Sequence, residues 1–251
     1  MIYITGDTHG LFDRFFEDSF PEGKSLSKED VVIITGDFGG VWDYGEENDY
    51  ESAWLDWLDQ RNWTTLFIDG NHEDFPRIEN YPVIQRYGAP VHRIRDSVCH
   101  LMRGYVYTIQ NRTFFTLGGA RSHNCAVVDP KDPDMKSKIE EYHKQGVSFI
   151  RTKGKDWWPE EIPSEEECRA ALNSLSLYGN KVDYIITHEC PVEIATQLNP
   201  EYGDYPFSRF LSSLEKTVTY QHWYFGHYHR DSDFDQKHTL LFYEIRKIKE
   251  D

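Results

Sequence analysis

Six short runs of β-branched and aromatic residues, each ended by a turn or polar residue, constrain the fold of this chain most strongly. The runs are MIYIT, DVVIIT, WTTLFID, RTFFTL, KVDYIIT and HWYF, and they stop at Gly6-Asp7, Gly36-Asp37, Gly70-Asn71-His72, Gly118-Gly119, His188 and Gly226-His227. Short apolar runs bounded in this way are typical of buried strands. Helical patterns lie between several of them, and the alternation predicts a layered α/β fold.

Three segments between the runs have the pattern of helices. They are LFDRFFEDSF (11–20), DYESAWLDWLDQR (49–61) and a stretch that opens with a capping box at Ser164 and Glu167 and ends near Gly179. The segment GYVYTIQNRTFFTLGG (104–119) has the pattern of a β-hairpin instead. We therefore expect at least part of the sheet structure to be mixed rather than purely parallel.

Composition narrows the classes of function. The 251 residues suit one domain spanning 1–251, and the formal net charge of -16 argues against stable nucleic-acid binding, because the chain repels phosphate backbones at long range. No apolar run reaches the roughly 18 to 20 residues of a membrane span, and the first ten residues lack the pattern of a secretory signal. Four cysteines without CxxC spacing suit a reducing compartment, so we expect a cytoplasmic protein without membrane partners.

Polar residues capable of binding metal follow most of the predicted strands. Ligand sites in open α/β sheets gather beyond the carboxyl ends of strands, so we expect these residues to meet: Asp7, His9, Asp37, Asn71, His72, His188, His227 and His229. Oxygen and imidazole donors without a thiolate suit Mn, Fe or Zn ions that keep open coordination positions. Two ions about 3.5–4 Å apart need a shared anionic ligand, and Asp37 is the natural bridge.

Five blocks in this set resemble the signature blocks of the calcineurin-like metallophosphoesterases. The blocks are GDTHG, GDFGG, GNHED, THECP and GHYH, and they occur in the family's order between Asp7 and His229. The segments DWWPEEIPSEEE and GGARS also resemble small bacterial and phage members. The resemblance implies an α/β fold built as a four-layer αββα sandwich, with two mixed sheets flanked by helices.

The resemblance also implies residue roles. Asp7, His9 and His229 would bind a first metal, Asn71, His188 and His227 a second, and Asp37 both. The ions would be two divalent or mixed-valence transition metals (Mn, Fe or Zn), and a hydroxide that they activate would attack a phosphate ester without a covalent enzyme intermediate. His72 matches the family's catalytic histidine, which would protonate the leaving group or stabilise the transition state.

Several interpretations stay open at this stage. Asp and Asn after Gly are common turn residues, and a scaffold that binds metal without turnover is an alternative to an enzyme. Arg121 follows a strand end and could grip a substrate phosphate or form a surface ion pair. Glu73 and Asp74 could orient the site, Cys190 is expected to be a bystander, and Trp157-Trp158 could pack or form a substrate wall.

The expected substrate is a small phosphate ester or a nucleotide. The second block lacks the Arg of the V-D-R-G sequence found in many protein phosphatases of the superfamily, and also the acidic partner of the catalytic histidine. Because a monoester dianion rewards extra positive groups and this chain offers few, we predict a slight preference for phosphodiesters. A phosphomonoesterase or protein phosphatase is the alternative.

Overall fold

Two large mixed β-sheets form the centre of the chain. The computed structural model describes residues 1–123, 125–202 and 204–249. The strands of this part of the chain are β1 (Ile2–Thr5), β2 (Val31–Ile34), β3 (Thr64–Phe67), β4 (Val83–Arg86), β5 (Ala89–Arg95), β6 (Val98–Leu101), β7 (Tyr105–Ile109), β8 (Arg112–Leu117), β9 (Cys125–Val128), β10 (Phe149–Thr152), β11 (Tyr184–Thr187), β12 (His222–Phe225), β13 (Ser232–Asp233), β14 (His238–Leu240) and β15 (Arg246–Lys247).

The strand order explains how the six apolar runs come together. The first sheet has the order β15-β1-β2-β3-β6-β5-β4, with β1, β2, β3 and β6 parallel. The second has the order β13-β14-β12-β11-β8-β7, with β8, β11, β12 and β14 parallel. Antiparallel strands lie at the edges of both sheets. All six predicted runs are strands in the parallel parts of the two sheets.

Helices cover the outer faces of both sheets. The helices of the described residues are α1 (Asp49–Asp59), α2 (Phe75–Glu79), α3 (Met135–Lys144), α4 (Glu165–Leu177), α5 (Val192–Leu198) and α6 (Pro206–Thr217), of which α3 packs on β9 and not on either large sheet. Between the sheets lies one apolar cluster, to which Ile33 of β2 and Ile186 of β11 both belong. A second cluster joins the first sheet to α1, and a third joins the second sheet to α4, α5 and α6. The predicted four-layer αββα sandwich is therefore confirmed.

Local sequence signals set the ends of two predicted helices. Asn48 caps α1, and Ser164 and Glu167 form the predicted capping box of α4. Gly179 follows the end of α4 with a φ of +63°, the left-handed conformation that favours glycine after a helix. The predicted hairpin is β7 paired antiparallel with β8, joined by two residues with positive φ. These predictions are confirmed.

The predicted helix over residues 11–20 is wrong. The segment forms one 3₁₀ turn at Asp13–Phe15, and a second turn follows at Pro21–Ser25. The buried Arg14 guanidinium donates hydrogen bonds to Thr5 Oγ1 and to the backbone carbonyls of Gly6, Asp7 and Phe242. These long-range bonds draw the segment inward, and the local periodicity of the sequence contains no sign of them.

A small βαβ unit is inserted between the second sheet's β8 and helix α4. Its two strands, β9 and β10, pair in parallel and are joined by α3. None of the residues of α3 is buried. We call residues 125–152 the insertion.

Among the described residues, no helix has both the length and the apolar character needed to cross a bilayer.

Candidate active site

Five of the six runs lead directly into the predicted ligands at the carboxyl ends of parallel strands from both sheets. Two glycines permit the close approach of the two sheets at this point. A Cβ at Gly36 would overlap the His188 ring, and a Cβ at Gly226 would overlap the carboxylate of Asp7. In each case the glycine of one sheet faces a predicted ligand of the other, which accounts for the Gly that precedes Asp37 and His227.

Asp37 lies between the two predicted ligand groups, and its two oxygens have different partners. Oδ1 accepts hydrogen bonds from the backbone N–H groups of Asn71 and His72, at 2.9 and 3.0 Å. Oδ2 lies 3.9 Å from His9 Nε2 and 3.4 Å from His188 Nε2. One oxygen thus fixes the carboxylate, and the other faces a histidine from each predicted group.

The predicted first group is compact. One ligand atom from each of Asp7, His9, Asp37 and His229 lies within 4.8 Å of the others. The Nε2 atoms of His9 and His229 are 2.8 Å apart, and His229 Nε2 is 3.4 Å from Asp7 Oδ2. Ligands that share one cation at about 2.0–2.2 Å are separated by similar distances. The arrangement fits one cation held by these four side chains.

The predicted second group presents donor atoms that are buried without a hydrogen-bond partner. They are Asn71 Oδ1, His188 Nε2 and His227 Nε2. The orientation of two of them is fixed from behind. His188 Nδ1 lies 2.8 Å from the carbonyl of Thr35, and Asn71 Nδ2 donates to Ser122 Oγ at 3.1 Å. These contacts leave the lone pair of His188 Nε2 and the oxygen of the Asn71 amide available to a cation. Metal ligands in proteins are usually oriented by hydrogen bonds of this kind to their other polar atom.

The backbone at these positions is unusual. Asp37 and the histidines at 9, 227 and 229 all have positive φ, between 45° and 75°. Such conformations are uncommon for residues other than glycine and are found where surrounding structure enforces them, often at functional sites. Four of the eight predicted site residues share this feature.

His72 lies beside the ligand groups rather than within them. Its ring stacks on Trp42, with centroids 4.9 Å apart and planes 5° from parallel. The guanidinium of Arg151 lies 2.9 Å from His72 Nδ1 and 3.2 Å from Nε2. Burial lowers the pKa of His72 to about 4, Asp37 opposes this shift, and Arg151 reinforces it. The sequence lacks the acidic partner that the family resemblance implies for this histidine, and in the structure an arginine lies beside the ring.

A cavity of about 200 Å³ opens over the site. Five of the predicted residues line it: Asp37, Asn71, His72, His227 and His229. Five others complete the lining: Ser122, His123, Arg151, Tyr202 and Tyr228. Sequence reasoning assigned none of these five to the site: Ser122 and Tyr228 lie within the quoted segments GGARS and GHYH but are not metal ligands of the motif, and His123, Arg151 and Tyr202 lie outside every quoted block. His123 Nε2 is also buried without a partner, and its ring lies 4.9 Å from that of His227.

Arg121 is not among the residues that line this cavity. Its guanidinium lies 4.7 Å from the centre of the Tyr205 ring, and its backbone N–H donates to the Tyr205 hydroxyl. The arginine that does line the cavity is Arg151, thirty residues further along the chain.

Other residues singled out in the sequence support the site from outside. The buried Glu73 accepts hydrogen bonds from the backbone N–H groups of Phe38 and Gly70, and so ties together the loops that carry Asp37 and Asn71. Asp74 caps α2. Trp158 is buried with its ring edge-on to Phe75, which is packing rather than a substrate wall.

Charge in the site is balanced between carboxylates and imidazoles. Burial alone would raise the pKa of Asp37, but His188, His72 and His9 hold it well below its usual range. Burial likewise would lower the pKa of His188, yet Asp37 and Asp7 raise it to about 10. The buried carboxylates of Asp7 and Asp37 thus favour a positive charge on His188, which lies between them. Cations would supply that charge directly.

The donor set fits transition-metal ions. Buried carboxylate oxygens, an amide oxygen and imidazole nitrogens converge without thiolates, and several of them have no other partner. A carboxylate–imidazole cluster at the strand ends of a layered α/β sandwich, beside an open cavity, is the arrangement expected of a metal-dependent hydrolase. The family model for calcineurin-like phosphoesterase matches residues 1–231. The chain belongs to this family, and is accordingly a metal-dependent phosphoesterase. A comparison with curated proteins found no match.

Proposed function

We propose that this protein hydrolyses small phosphate esters with two divalent or mixed-valence transition-metal ions (Mn, Fe or Zn). Asp7, His9 and His229 would hold one ion, Asn71, His188 and His227 the other, and Asp37 both. The observation that carries the proposal is the position of Asp37 Oδ2 between His9 and His188, with buried, unpartnered donor atoms on the second side.

Bound cations would supply a water of lowered pKa and Lewis-acid contacts to phosphoryl oxygens. The chain's own residues have the remaining tasks. In hydrolysis the water oxygen forms a new bond to phosphorus, the bond to the alcohol oxygen breaks, water loses a proton to solvent, and the alcohol gains one. His72, at the edge of the cavity and not needed as a ligand, would donate an N–H to the departing oxygen.

The carboxylates and backbone orient this chemistry. Glu73 holds the loops of Asp37 and Asn71 together, and Ser122 fixes the Asn71 amide with its oxygen toward the proposed ion. Ser122 is in turn held by both oxygens of the buried Glu161. A site held in this way keeps its ligands in place before substrate arrives, so that little reorganisation is needed during the reaction.

A hydrolysis panel with added Mn²⁺ tests the proposal. It should contain monoesters, diesters, cyclic nucleotides and nucleotide polyphosphates. We expect turnover of at least one class, loss of turnover with a chelator, and recovery with Mn²⁺. A protein that binds two equivalents of metal yet turns over none of these classes would be the metal-binding scaffold without catalysis, and the proposal would be wrong.

The preference for diesters predicted from the sequence needs new consideration. It depended on a scarcity of positive groups beside the predicted ligands, with Arg121 as the one arginine proposed there. Arg151 lies against His72 in the cavity, so that premise no longer holds.

The cytoplasmic location, the single domain over 1–251 and the absence of nucleic-acid and membrane partners remain predictions.

A further inference from the structure

We propose that Arg151 binds a non-bridging oxygen of the substrate phosphate and thereby makes small phosphomonoesters the preferred substrates. This inference depends on the proposed function, since it assigns the substrate class of the same site. It concerns a residue that lies outside every block by which the family was recognised.

The insertion places Arg151 over the site. Strand β10 pairs with β9 so that Arg151 lies opposite Val127, and its guanidinium reaches across to His72. A further hydrogen bond runs from Nη1 to the backbone carbonyl of Asp156 at 3.1 Å. The guanidinium is therefore held by the loop that follows β10 on one side and by the proposed catalytic histidine on the other.

In the part of the chain that the structure describes, Arg151 has no carboxylate partner at ion-pair distance. Among the described residues, the ion pairs within 4.0 Å include Arg77 with Glu51, Arg95 with Glu47 and Arg103 with Asp69, but none for Arg151. Two acidic residues lie near Arg151: Asp156, whose carboxylate accepts from the backbone N–H of Thr152, and Glu161, which accepts two hydrogen bonds from Ser122. Burial raises the pKa of Glu161, and Arg151 opposes this shift without forming an ion pair with it.

Among the described residues Arg14 and Arg86 also form no ion pair within 4.0 Å, so what distinguishes Arg151 is its place in the cavity lining. Arg151 lies in a cavity otherwise lined mainly by imidazoles and tyrosines, where a dianion would be its natural partner.

Counting phosphoryl oxygens separates monoesters from diesters. A monoester has three non-bridging oxygens, so two can contact the proposed cations while the third accepts from Arg151. A diester has two, and both are needed by the cations. Arginine's forked donors and permanent charge suit the third oxygen of a dianion, and charged hydrogen bonds of this kind are the stronger ones.

The dimensions of the cavity point the same way. Its volume is about 200 Å³, whereas sites for drug-sized ligands are roughly 300–1,000 Å³. A phosphoryl group in a cavity of this volume, with Tyr202 and Tyr228 in its lining, leaves more room for one substituent than for two. A monoester has one substituent and a diester has two.

The test compares Arg151→Ala and Arg151→Lys with Lys144→Ala. Lys144 is an exposed residue of α3, so its removal takes one positive charge from the same insertion without touching the cavity. Each Mn²⁺-loaded variant is assayed on para-nitrophenyl phosphate and on bis-para-nitrophenyl phosphate. Binding of inorganic phosphate at about pH 8, where it is mainly the dianion, is measured by calorimetry.

We expect Arg151→Ala to lower kcat/KM for the monoester roughly 10- to 150-fold, the range of a lost charged hydrogen bond, and to weaken phosphate binding by a similar factor. The diester should change by less than about threefold, Arg151→Lys should recover part of the loss, and Lys144→Ala should match the unmodified protein.

Equal losses on both esters, or unchanged phosphate binding in Arg151→Ala, would overturn the inference and leave the proposed function intact. A wild-type protein that hydrolyses neither ester nor any of the panel would contradict the proposed function instead. In that case phosphate binding that still depends on Arg151 would support the anion site by itself.

Discussion

Asp37 and His72 are neighbours in the site, yet their surroundings differ, and the proposed function gives them different tasks. Asp37 is almost fully buried, and its Oδ2 faces histidines of both ligand groups. His72 contacts Trp42 and Arg151 at the edge of the cavity. Substitutions at these two residues should therefore separate metal binding from turnover.

We predict that Asp37→Ala loses both metal ions, because its side chain belongs to both proposed sites, and that His9→Ala mainly weakens the first. Elemental analysis after dialysis against buffer with limiting Mn²⁺ measures the content per chain. Asp18→Ala, which removes an exposed carboxylate, is the control. Two ions retained by Asp37→Ala, or a single ion in the unmodified protein at saturation, would contradict the bridging role.

His72→Ala should keep its metal and lose about 10²–10⁴-fold in kcat, the span usual for a positioned acid–base group. The loss should be smaller with a nitrophenolate leaving group than with an alkyl alcohol, since a good leaving group needs little protonation. The measurement is kcat for matched aryl and alkyl esters, with metal content checked in the same samples. A loss that is independent of the leaving group would assign His72 to electrostatic stabilisation alone.

At the scale of elements, one ionic network ties the loop before α1 to strand β5. The Glu47 carboxylate accepts from Arg95 and from the Tyr81 hydroxyl, and Arg95 also donates to Asp56 of α1. The hydrogen bond from Arg95 is the main cause of a lowered Glu47 pKa, and burial opposes it. The network joins α1 and the loop before it to a strand of the first sheet.

We predict that Glu47→Gln lowers the free energy of unfolding by about 0.2–1 kcal/mol at pH 7, the range for partly exposed ion pairs. Because the folded-state pKa is below the unfolded value of about 4.3, the stabilisation is present above that pH and is lost as the pH falls through the folded pKa. Urea denaturation at a series of pH values measures it, with the exposed neighbour Glu46→Gln as control. A difference that persists at the lowest pH would show that the carboxylate charge is not the cause.

At the scale of the whole molecule, the proposed metal ligands join the two sheets. Asp7, Asp37 and Asn71 follow strands of the first sheet, whereas His188, His227 and His229 follow strands of the second. A ligand that binds both sheets only when they are packed together stabilises the entire fold, because the unfolded chain has no such site.

Saturating Mn²⁺ should therefore raise Tm. At a free concentration of about 100 times Kd the stabilisation is about 2.7 kcal/mol, which corresponds to roughly 5–10 °C for a chain of this size. Calorimetry with and without Mn²⁺ measures the shift, and Asp37→Ala should show little of it. An unchanged Tm in the unmodified protein under these conditions would rule out binding across the two sheets.

The sequence alone determined the six strands of the predicted runs, the order of the site blocks and the family. These runs are rich in apolar residues because parallel strands covered on both faces bury most of their side chains, and each turn residue marks where the run ends. The capping box at Ser164 and the hairpin turn after β7 were also predictable, because both depend on residues a few positions apart. The predicted metal and catalytic residues remain predictions that the geometry supports.

Only the tertiary structure decided which other residues surround the ligands. Arg151 reaches His72 because the insertion folds back over a loop 79 positions earlier in the chain, and no local pattern encodes that contact. The segment around Arg14 failed as a helix for the same reason, since its hydrogen-bond partners include a carbonyl 228 residues away. Periodicity and motifs report the interactions of near neighbours, whereas contacts between distant segments exist only once both sheets and the insertion have packed.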